Sequence, residues 1–385
     1  MVTSMSTENI TPDEKQAAIE TIKLLQSLIA LGDVRILKNT FIKAFDSKSI
    51  PKSDNRNYLH GSFNLGGTVS GRMSSSKPNL QNMPSTGTSY AKAFKKCFKA
   101  PDGWLLVGAD FASLEDRIAA LTTKDPEKLK VYTDGYDGHS LRAYAYFKEE
   151  MPDIDPTSVS SINSIEHRYP HLRQKSKGPT FALTYQGTWK TLVTNLGFDK
   201  VTAEQIEANY HNLYKVSDEW VDSKLQEATK KGYVEVAFGL RVRTPILAKT
   251  LLNKRTTPRE AAAEGRTAGN ALGQSYGLLN NRSAIEFMDR VYASPYKYDV
   301  KPIAQIHDSQ YYLIKEDIDV LQWVNANLTE CMSWQNLPEI QHDQVKLTAS
   351  LELFYPDMSN PIKVPLGMSN EELNIHINAK IESSD

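Results

Sequence analysis

Cysteine is nearly absent: the 385 residues include only Cys97 and Cys331. Two thiols so far apart in sequence give neither a disulfide framework nor a zinc spacing, and they fit a reducing cytosol. A long apolar run and a signal peptide are also missing, so the expected location is the cytoplasm, with no membrane partner. No internal repeat is present. Net charge is −1, from 45 Lys and Arg against 46 Asp and Glu, so bulk charge neither supports nor excludes a nucleic-acid partner. Charge is uneven locally. Lys92, Lys95, Lys96 and Lys99 cluster with no acid among them, and residues 231–266 hold eight Lys or Arg against three Glu. Such stripes suit a phosphate backbone, although solvated faces look the same. A chain of this length buries a large core and has room for two or three subdomains.

What is present begins with Trp104-Leu-Leu-Val-Gly-Ala-Asp110-Phe-Ala-Ser-Leu-Glu115-Asp-Arg117. The apolar run reads as a buried strand ending on Asp110, and Leu114, Ile118 and Leu121 then share one helical face. A carboxylate on a rigid strand end suits a hard cation, while a surface Asp closing a strand fits Asp110 alone equally well. Far downstream, Pro302-Ile-Ala-Gln-Ile-His307-Asp308-Ser309-Gln-Tyr-Tyr-Leu-Ile314 places two β-prone runs around a polar corner, a hairpin signal. Carboxylates from two distant strands can hold two divalent ions roughly 3.5–4 Å apart, as in-line displacement at phosphorus requires. Magnesium suits few carboxylates with phosphates and water completing its shell.

Between these stretches, Arg173, Lys177, Phe181 and Tyr185 are spaced by four. On a helix they form one stripe about 18 Å long. Two cations followed by two aromatics suit a nucleoside triphosphate, phosphates at one end and base at the other. An amphipathic helix with a solvated basic end fits the same spacing.

These three blocks, in this order, resemble motifs A, B and C of family A (DNA polymerase I-like) DNA polymerases. Two further blocks are similar to that family: Ser70-Gly-Arg72 through Asn79-Leu-Gln81-Asn82-Met-Pro84, and Gly232 to Gln274, which includes Arg266 and Asn270. The similarity runs from about residue 20 to about residue 356. It implies an α+β fold: a right-hand palm of antiparallel sheet with helices, mainly helical fingers, and a thumb largely missing. The implied domains are lead-in helices at 1–50, a first palm part at 51–150, and fingers with a template-contacting helix at 151–290. A second palm part at 291–360 and a C-terminal extension at 361–385 complete them.

The resemblance also implies an activity. The chain is expected to add dNMP to a primer 3′-hydroxyl and release pyrophosphate, with two Mg2+ ions (Mn2+ a possible substitute) held by Asp110 and Asp308. Arg173 and Lys177 would neutralise the phosphates, with His139 beside them. Phe181 would pack on base and sugar, Tyr185 would sit by the templating position, and Glu115 would exclude a 2′-hydroxyl. Arg72, Asn79, Gln81, Arg266, Asn270, Gln274 and His307 would touch DNA. Expected partners are primer–template DNA, dNTPs and a second polypeptide carrying thumb and 3′–5′ exonuclease, since only some fifty residues precede residue 50. The chain then reads as the C-terminal half of a split or phage-type polymerase, in the host cytoplasm if phage-encoded. A single-subunit RNA polymerase and an inactive DNA-binding subunit are the rival readings; Glu115 and the Arg72 block oppose the first, and the retained Asp110 and Asp308 oppose the second.

Three departures from the family pattern stand out. Ser309 occupies the place of a Glu, Tyr185-Gln186-Gly187 stands where the family has Tyr-Gly, and Gly178-Pro179 lies inside the expected finger helix. Proline there predicts a kink or two helical pieces. Elsewhere, residues 1–10 read as a disordered lead, and Thr11-Pro12-Asp13-Glu14 as a helix start. Gly32-Asp33 reads as a break before a second helix. A loop is expected at 151–165, helices at 202–231, 258–290 and 315–330, a hairpin through Gly239, and a strand at 345–353.

Overall fold

The structure is a computed structural model that describes residues 11–84, 90–250 and 257–383. Residues 1–10, and part of the basic span 231–266, lie outside these. The chain divides into two compact units, one of residues 1–64 with 75–85, the other of residues 65–74 with 86–385.

In the smaller unit, α1 (Pro12–Ile36) starts at the expected capping box. Glu14 N donates to Thr11 Oγ1 (3.3 Å) and Thr11 N donates to the Glu14 carboxylate (2.9 Å). The expected break at Gly32-Asp33 is absent. The helix runs on to Ile36 and continues through a π-helical turn (Leu37–Ile42) into α2 (Lys43–Lys48). A lone interior glycine costs only about 1 kcal/mol, and no proline or cap follows to end the helix. Ile22, Leu25 and Ile29 share a face and are 48%, 54% and 67% exposed, so α1 buries its apolar stripe against nothing in its own unit. Strands β1 (Ile50–Pro51) and β2 (Asn57–Tyr58) pair, as do β3 (Ser62–Asn64) and β4 (Ser74–Ser76).

The larger unit opens with α3 (Ala91–Lys95), which carries two lysines of the basic cluster. β5 (Trp104–Phe111) follows, then α4 (Leu114–Thr123), whose Leu114, Ile118 and Leu121 are buried as their spacing predicts. α5 (Pro126–Thr133) and α6 (Gly138–Phe147) are each capped by an aspartate, Asp125 and Asp137. Helix α7 (Val159–Arg168) occupies part of the expected loop at 151–165, because Ser158 caps it and Ile162 and Ile165 are buried.

The expected division of the finger helix is not found. α8 (Pro170–Thr184) is one continuous helix with Pro179 inside it. Proline crowds the Cβ of the residue before it, and Gly178 has none. A Cβ at Gly178 would also meet Leu196 at 3.2 Å. α8 is further tied to α6 by Ser176 Oγ, which donates to the His139 carbonyl (3.3 Å). α9 (Trp189–Leu196), α10 (Lys200–Leu213) and α11 (Lys215–Lys231) complete the helical region. It has its own core, with Phe147, Ile162, Leu172, Leu192, Ile206 and Tyr214 buried.

The expected hairpin is β6 (Tyr233–Glu235) with β7 (Arg241–Arg243), turning at Phe238 and Gly239, both at positive φ. The long helical stretch is two helices, α12 (Arg259–Gln274) and α13 (Leu278–Ala293), joined by a tight turn at Ser275–Gly277. β8 (Val300–Ile306) and β9 (Ser309–Lys315) form the second predicted hairpin. α14 (Ile318–Met332) and β10 (Ala349–Phe354) lie close to their expected spans. The segment read only as an extension supplies β11 (Pro361–Val364) and α15 (Asn370–Glu382).

One antiparallel sheet organises this unit, in the order β11-β10-β5-β9-β8. β5 is central, which is why its run is apolar on both faces: Leu106, Val107 and Ala109 are all buried. Its register sets Asp110 opposite Ser309 on one side and Ser350 on the other. The helices α4, α13, α14 and α15 bury their apolar faces in the core of this sheet. The result is a mixed α+β architecture of sheet and helical lobe.

Candidate active site

The sheet brings Asp110 and Asp308 to one end. Asp110 leaves β5 beside Ser309, whose Oγ donates to Asp110 Oδ1 (2.9 Å). Asp308 occupies the two-residue turn between β8 and β9, where His307 takes φ +56°. Two-residue hairpin turns demand positive φ because only then does the turn follow the strands' twist. Asp110 reaches solvent, yet the protein packed around it raises its pKa above the ordinary carboxylate value, and the charge of Glu352 adds to this. Asp308 is raised by burial and then by the charge of Asp110. Two carboxylates that repel each other through partly dry space form a hollow of negative potential, which suits a divalent cation. Among the described residues no group of three or more His, Cys, Asp or Glu side chains is poised to hold a metal. The donor set is therefore two carboxylates, which fits Mg2+ completing its shell with water and phosphate.

Next to this pair lies a cleft of ≈ 640 Å³ whose lining includes Arg72, Glu115, His139, Phe181, His307 and Asp308. Glu115, on the first turn of α4, accepts hydrogen bonds from both Arg72 and Tyr185. Arg72 passes so close to Gly277 that a Cβ there would sit 2.9 Å from its Nε. Tyr185 caps the end of α8, and its phenol is pushed up in pKa by burial and by Glu115. Phe181 is 56% exposed.

His139 stands on the first turn of α6 with its Nδ1 buried and without a hydrogen-bond partner. Burial, then the charges of Arg142 and Lys177, lowers its pKa, so the neutral imidazole is favoured. Arg173 is not a free cation. Asp137 accepts from its Nε (2.7 Å) and Nη2 (3.0 Å), and Glu166 lies 3.4 Å away. Burial pushes Asp137 up, but the bonds from Arg173 and Ser140 outweigh this and hold the carboxyl well below the usual range.

Of the residues expected on α12, Arg266 is exposed, while Asn270 and Gln274 line a second cavity of ≈ 480 Å³ together with Tyr185 and Glu115. Asn270 Oδ1 is buried there without a partner. Asn79 and Gln81 belong to the smaller unit, where Asn79 Oδ1 accepts from Gln81 N (3.0 Å) in a local turn.

Sequence reasoning passed over several residues. Asp137 was within reach, since Asp137-x-x-Ser140 reads as an N-cap. Asp116 was harder to see. It accepts from the buried Arg142, whose Nε also donates to Tyr214 Oη (2.8 Å). Lys128 lies 3.6 Å above the Tyr214 ring, and burial lowers its pKa to about 8. This ionic knot joins the Asp110 side of the molecule to the helical lobe.

Comparison with known proteins agrees with this architecture. The sequence model of DNA polymerase family A matches residues 3–353, and the chain belongs to that family. It is 29% identical over 260 residues to the thermostable DNA polymerase I of Thermus filiformis, and 28% identical over 293 residues to that of Thermus thermophilus. These matches cover 66% and 76% of this chain but only 29% and 32% of those proteins. Among solved structures, the POL domain of Pol1 from M. smegmatis, in complex with DNA primer-template and dNTP, is similar with a TM-score of 0.69. Identity is 22%, and the match covers 92% of this chain and 57% of that one. The fold is accordingly that of a family A palm and fingers. No helix among the described residues is long and apolar enough to cross a membrane.

Proposed function

We propose that this chain is a DNA-directed DNA polymerase that extends a primer by one dNMP at a time. The observation that carries the reading is the pair Asp110 and Asp308 at the sheet end, close enough for the charge of one to raise the other, with Asp308 lining a cleft beside Glu115, His139 and Phe181. The primer O3′ bonds to the α-phosphorus of a dNTP, the Pα–O–Pβ bond breaks, pyrophosphate leaves, and the hydroxyl proton passes to solvent. Asp110 and Asp308 would hold two Mg2+ ions, or Mn2+ in their place, whose chemistry when bound is to acidify the hydroxyl and offset phosphate charge.

The chain's own residues do the rest. Lys177 and Arg173 attract the triphosphate, and Arg173 exchanges part of its bond to Asp137 for phosphate oxygens. Neutral His139 donates a hydrogen bond to a phosphate oxygen. Phe181 stacks on the base, and Tyr185 borders the templating position. Glu115, fixed by Arg72 and Tyr185, occupies the space a 2′-hydroxyl would need. Arg72, Asn79, Gln81, Arg266, Asn270, Gln274 and His307 contact primer and template. In this reading residues 1–50 are lead-in helices, 51–150 and 291–360 the palm, 151–290 the fingers, and 361–385 add an edge strand and a helix to the palm sheet.

A partner belongs to the same proposal. The exposed Ile22, Leu25 and Ile29 of α1 follow the 3–4 spacing of a helix-docking seam. Its occupant is an apolar helix of a second polypeptide that carries thumb and 3′–5′ exonuclease. The test is primer extension with Mg2+ by the purified chain, with dNTPs and rNTPs in parallel. Extension with dNTPs that is distributive alone and processive with the partner supports the whole reading. Absence of any nucleotide addition sinks the activity, and processive synthesis by the chain alone sinks the partner.

A further inference from the structure

The turn that carries Asp308 is held from behind by α13. Asn280 is fully buried, and its Nδ2 donates to the carbonyls of His307 (3.2 Å) and Ser309 (3.2 Å), the residues on either side of Asp308. Its Oδ1 accepts from Nε2 of Gln310 (2.8 Å), also fully buried. The same Nε2 approaches the Asn280 carbonyl (3.1 Å) and Ser283 Oγ (2.6 Å), and Tyr312 Oη donates to Gln310 Oε1 (2.6 Å). Only one orientation of each amide satisfies these partners, since two carbonyls facing Asn280 require its NH2 end.

The placement is specific. Asn280 grips both carbonyls that flank Asp308, at a turn whose His307 holds the left-handed φ that a non-glycine residue keeps only where its surroundings enforce it. A leucine at 280 would fill the core without this grip. Ser309 bonds Asp110, so the turn is tied toward the cleft by one hydroxyl and away from it by one amide.

We infer that Asn280 is a positioning residue for the reaction. Through the His307 and Ser309 carbonyls it fixes the Asp308 carboxylate relative to Asp110, and Gln310 in turn fixes Asn280. This rests on the reading of Asp110 and Asp308 as the reactive carboxylates.

The test replaces the amide pair by an apolar one, Asn280→Leu with Gln310→Leu, which leaves neither amide without its partner. The readouts are kcat, KM for dNTP, primer–template affinity, thermal midpoint, and Mn2+ affinity. The last is a paramagnetic titration of the protein on a dideoxy-terminated primer–template. The expected result is a midpoint within a few degrees of wild type, unchanged KM and DNA affinity, and kcat and Mn2+ affinity each lower by about tenfold to hundredfold. Wild-type kcat and Mn2+ affinity in the folded double variant would overturn the inference. If that variant does not fold, Asn280→Ser decides, because serine keeps a polar partner for Gln310 but cannot span both carbonyls. Full kcat and Mn2+ affinity there would equally overturn it. Asp308→Asn, run beside these, separates the two levels: if it extends primers as wild type does, the reading of the carboxylates fails, whatever Asn280 does.

Discussion

Asp110 stands on β5 and Asp308 on the turn of the neighbouring hairpin; Val107, Ala109 and Gln310 of these strands are fully buried, and the turn between β8 and β9 is pinned by buried amides. The stripe of α8 is supported differently. Arg173 is held by an ion pair to Asp137, Phe181 is largely exposed, and Tyr185 lies past the last helical turn on a bond to Glu115. The two regions have separate hydrophobic cores. Segments with many buried contacts and buried hydrogen bonds open less readily than partly exposed ones. On the proposed reading, rigid groups stand where bonds would be made and more exposed ones where a varying nucleotide would be accepted.

Breaking the rigid side should cost most. Asp110→Asn is expected to lower kcat for primer extension by on the order of 10³-fold or more, with primer–template affinity preserved. Near-normal extension would show that the sheet end is not the reactive centre. On the adjustable side, Lys177→Ala should raise KM for dNTP about tenfold to hundredfold, the worth of one charge-assisted hydrogen bond. A fall in kcat with KM unchanged would move Lys177 to the rigid group. Between the two regions, Glu115→Ala should raise the rNTP-to-dNTP incorporation ratio about tenfold to hundredfold. An unchanged ratio in competition assays would remove its role at the sugar.

The smallest effect concerns stability. Asp308 has its folded pKa raised, by burial first and then by Asp110. The folded state therefore binds that proton more tightly than the unfolded chain. The associated stability is full below the ordinary carboxylate pKa and is lost as pH rises through the raised value. Without divalent ions at neutral pH, Asp308→Asn should melt a few degrees above wild type, and the gap should close below about pH 4. Equal midpoints at both pH values would contradict the repulsion. Addition of Mg2+ should raise the midpoint of wild type more than that of the variant.

Much of the rigid side was legible in the sequence, for local reasons. An apolar run ending in Asp110 and two β-prone runs around His307-Asp308 each announce their structure within a dozen residues. The α8 stripe was legible as a period of four. At Gly178-Pro179 the alternative of two helical pieces fails because proline's cost in a helix is a local rule, whereas the packing of Leu196 on Gly178 and the bond from Ser176 to His139 are tertiary. Gly32 misled in the same way, by a propensity too weak to end a helix of leucines and isoleucines. The Arg173–Asp137 pair joins residues 36 apart, and nothing local to Arg173 foretells it. Asn280 left a faint trace: with Tyr276, Ser283 and Phe287 it follows a 3–4 spacing, so two polar residues sit on an apolar face. Only the arrival of β9 against that face reveals what they bind.

Pro179 has one more consequence. It has no N–H, so the carbonyl of Lys175 one turn earlier lacks the bond that every neighbouring turn possesses. The gap falls between Arg173 and Lys177 on one flank and Phe181 and Tyr185 on the other. Along α8 this is where bending meets the least elastic resistance. The helix is therefore softest between the pair Arg173 and Lys177, the first seated on Asp137, and the pair Phe181 and Tyr185.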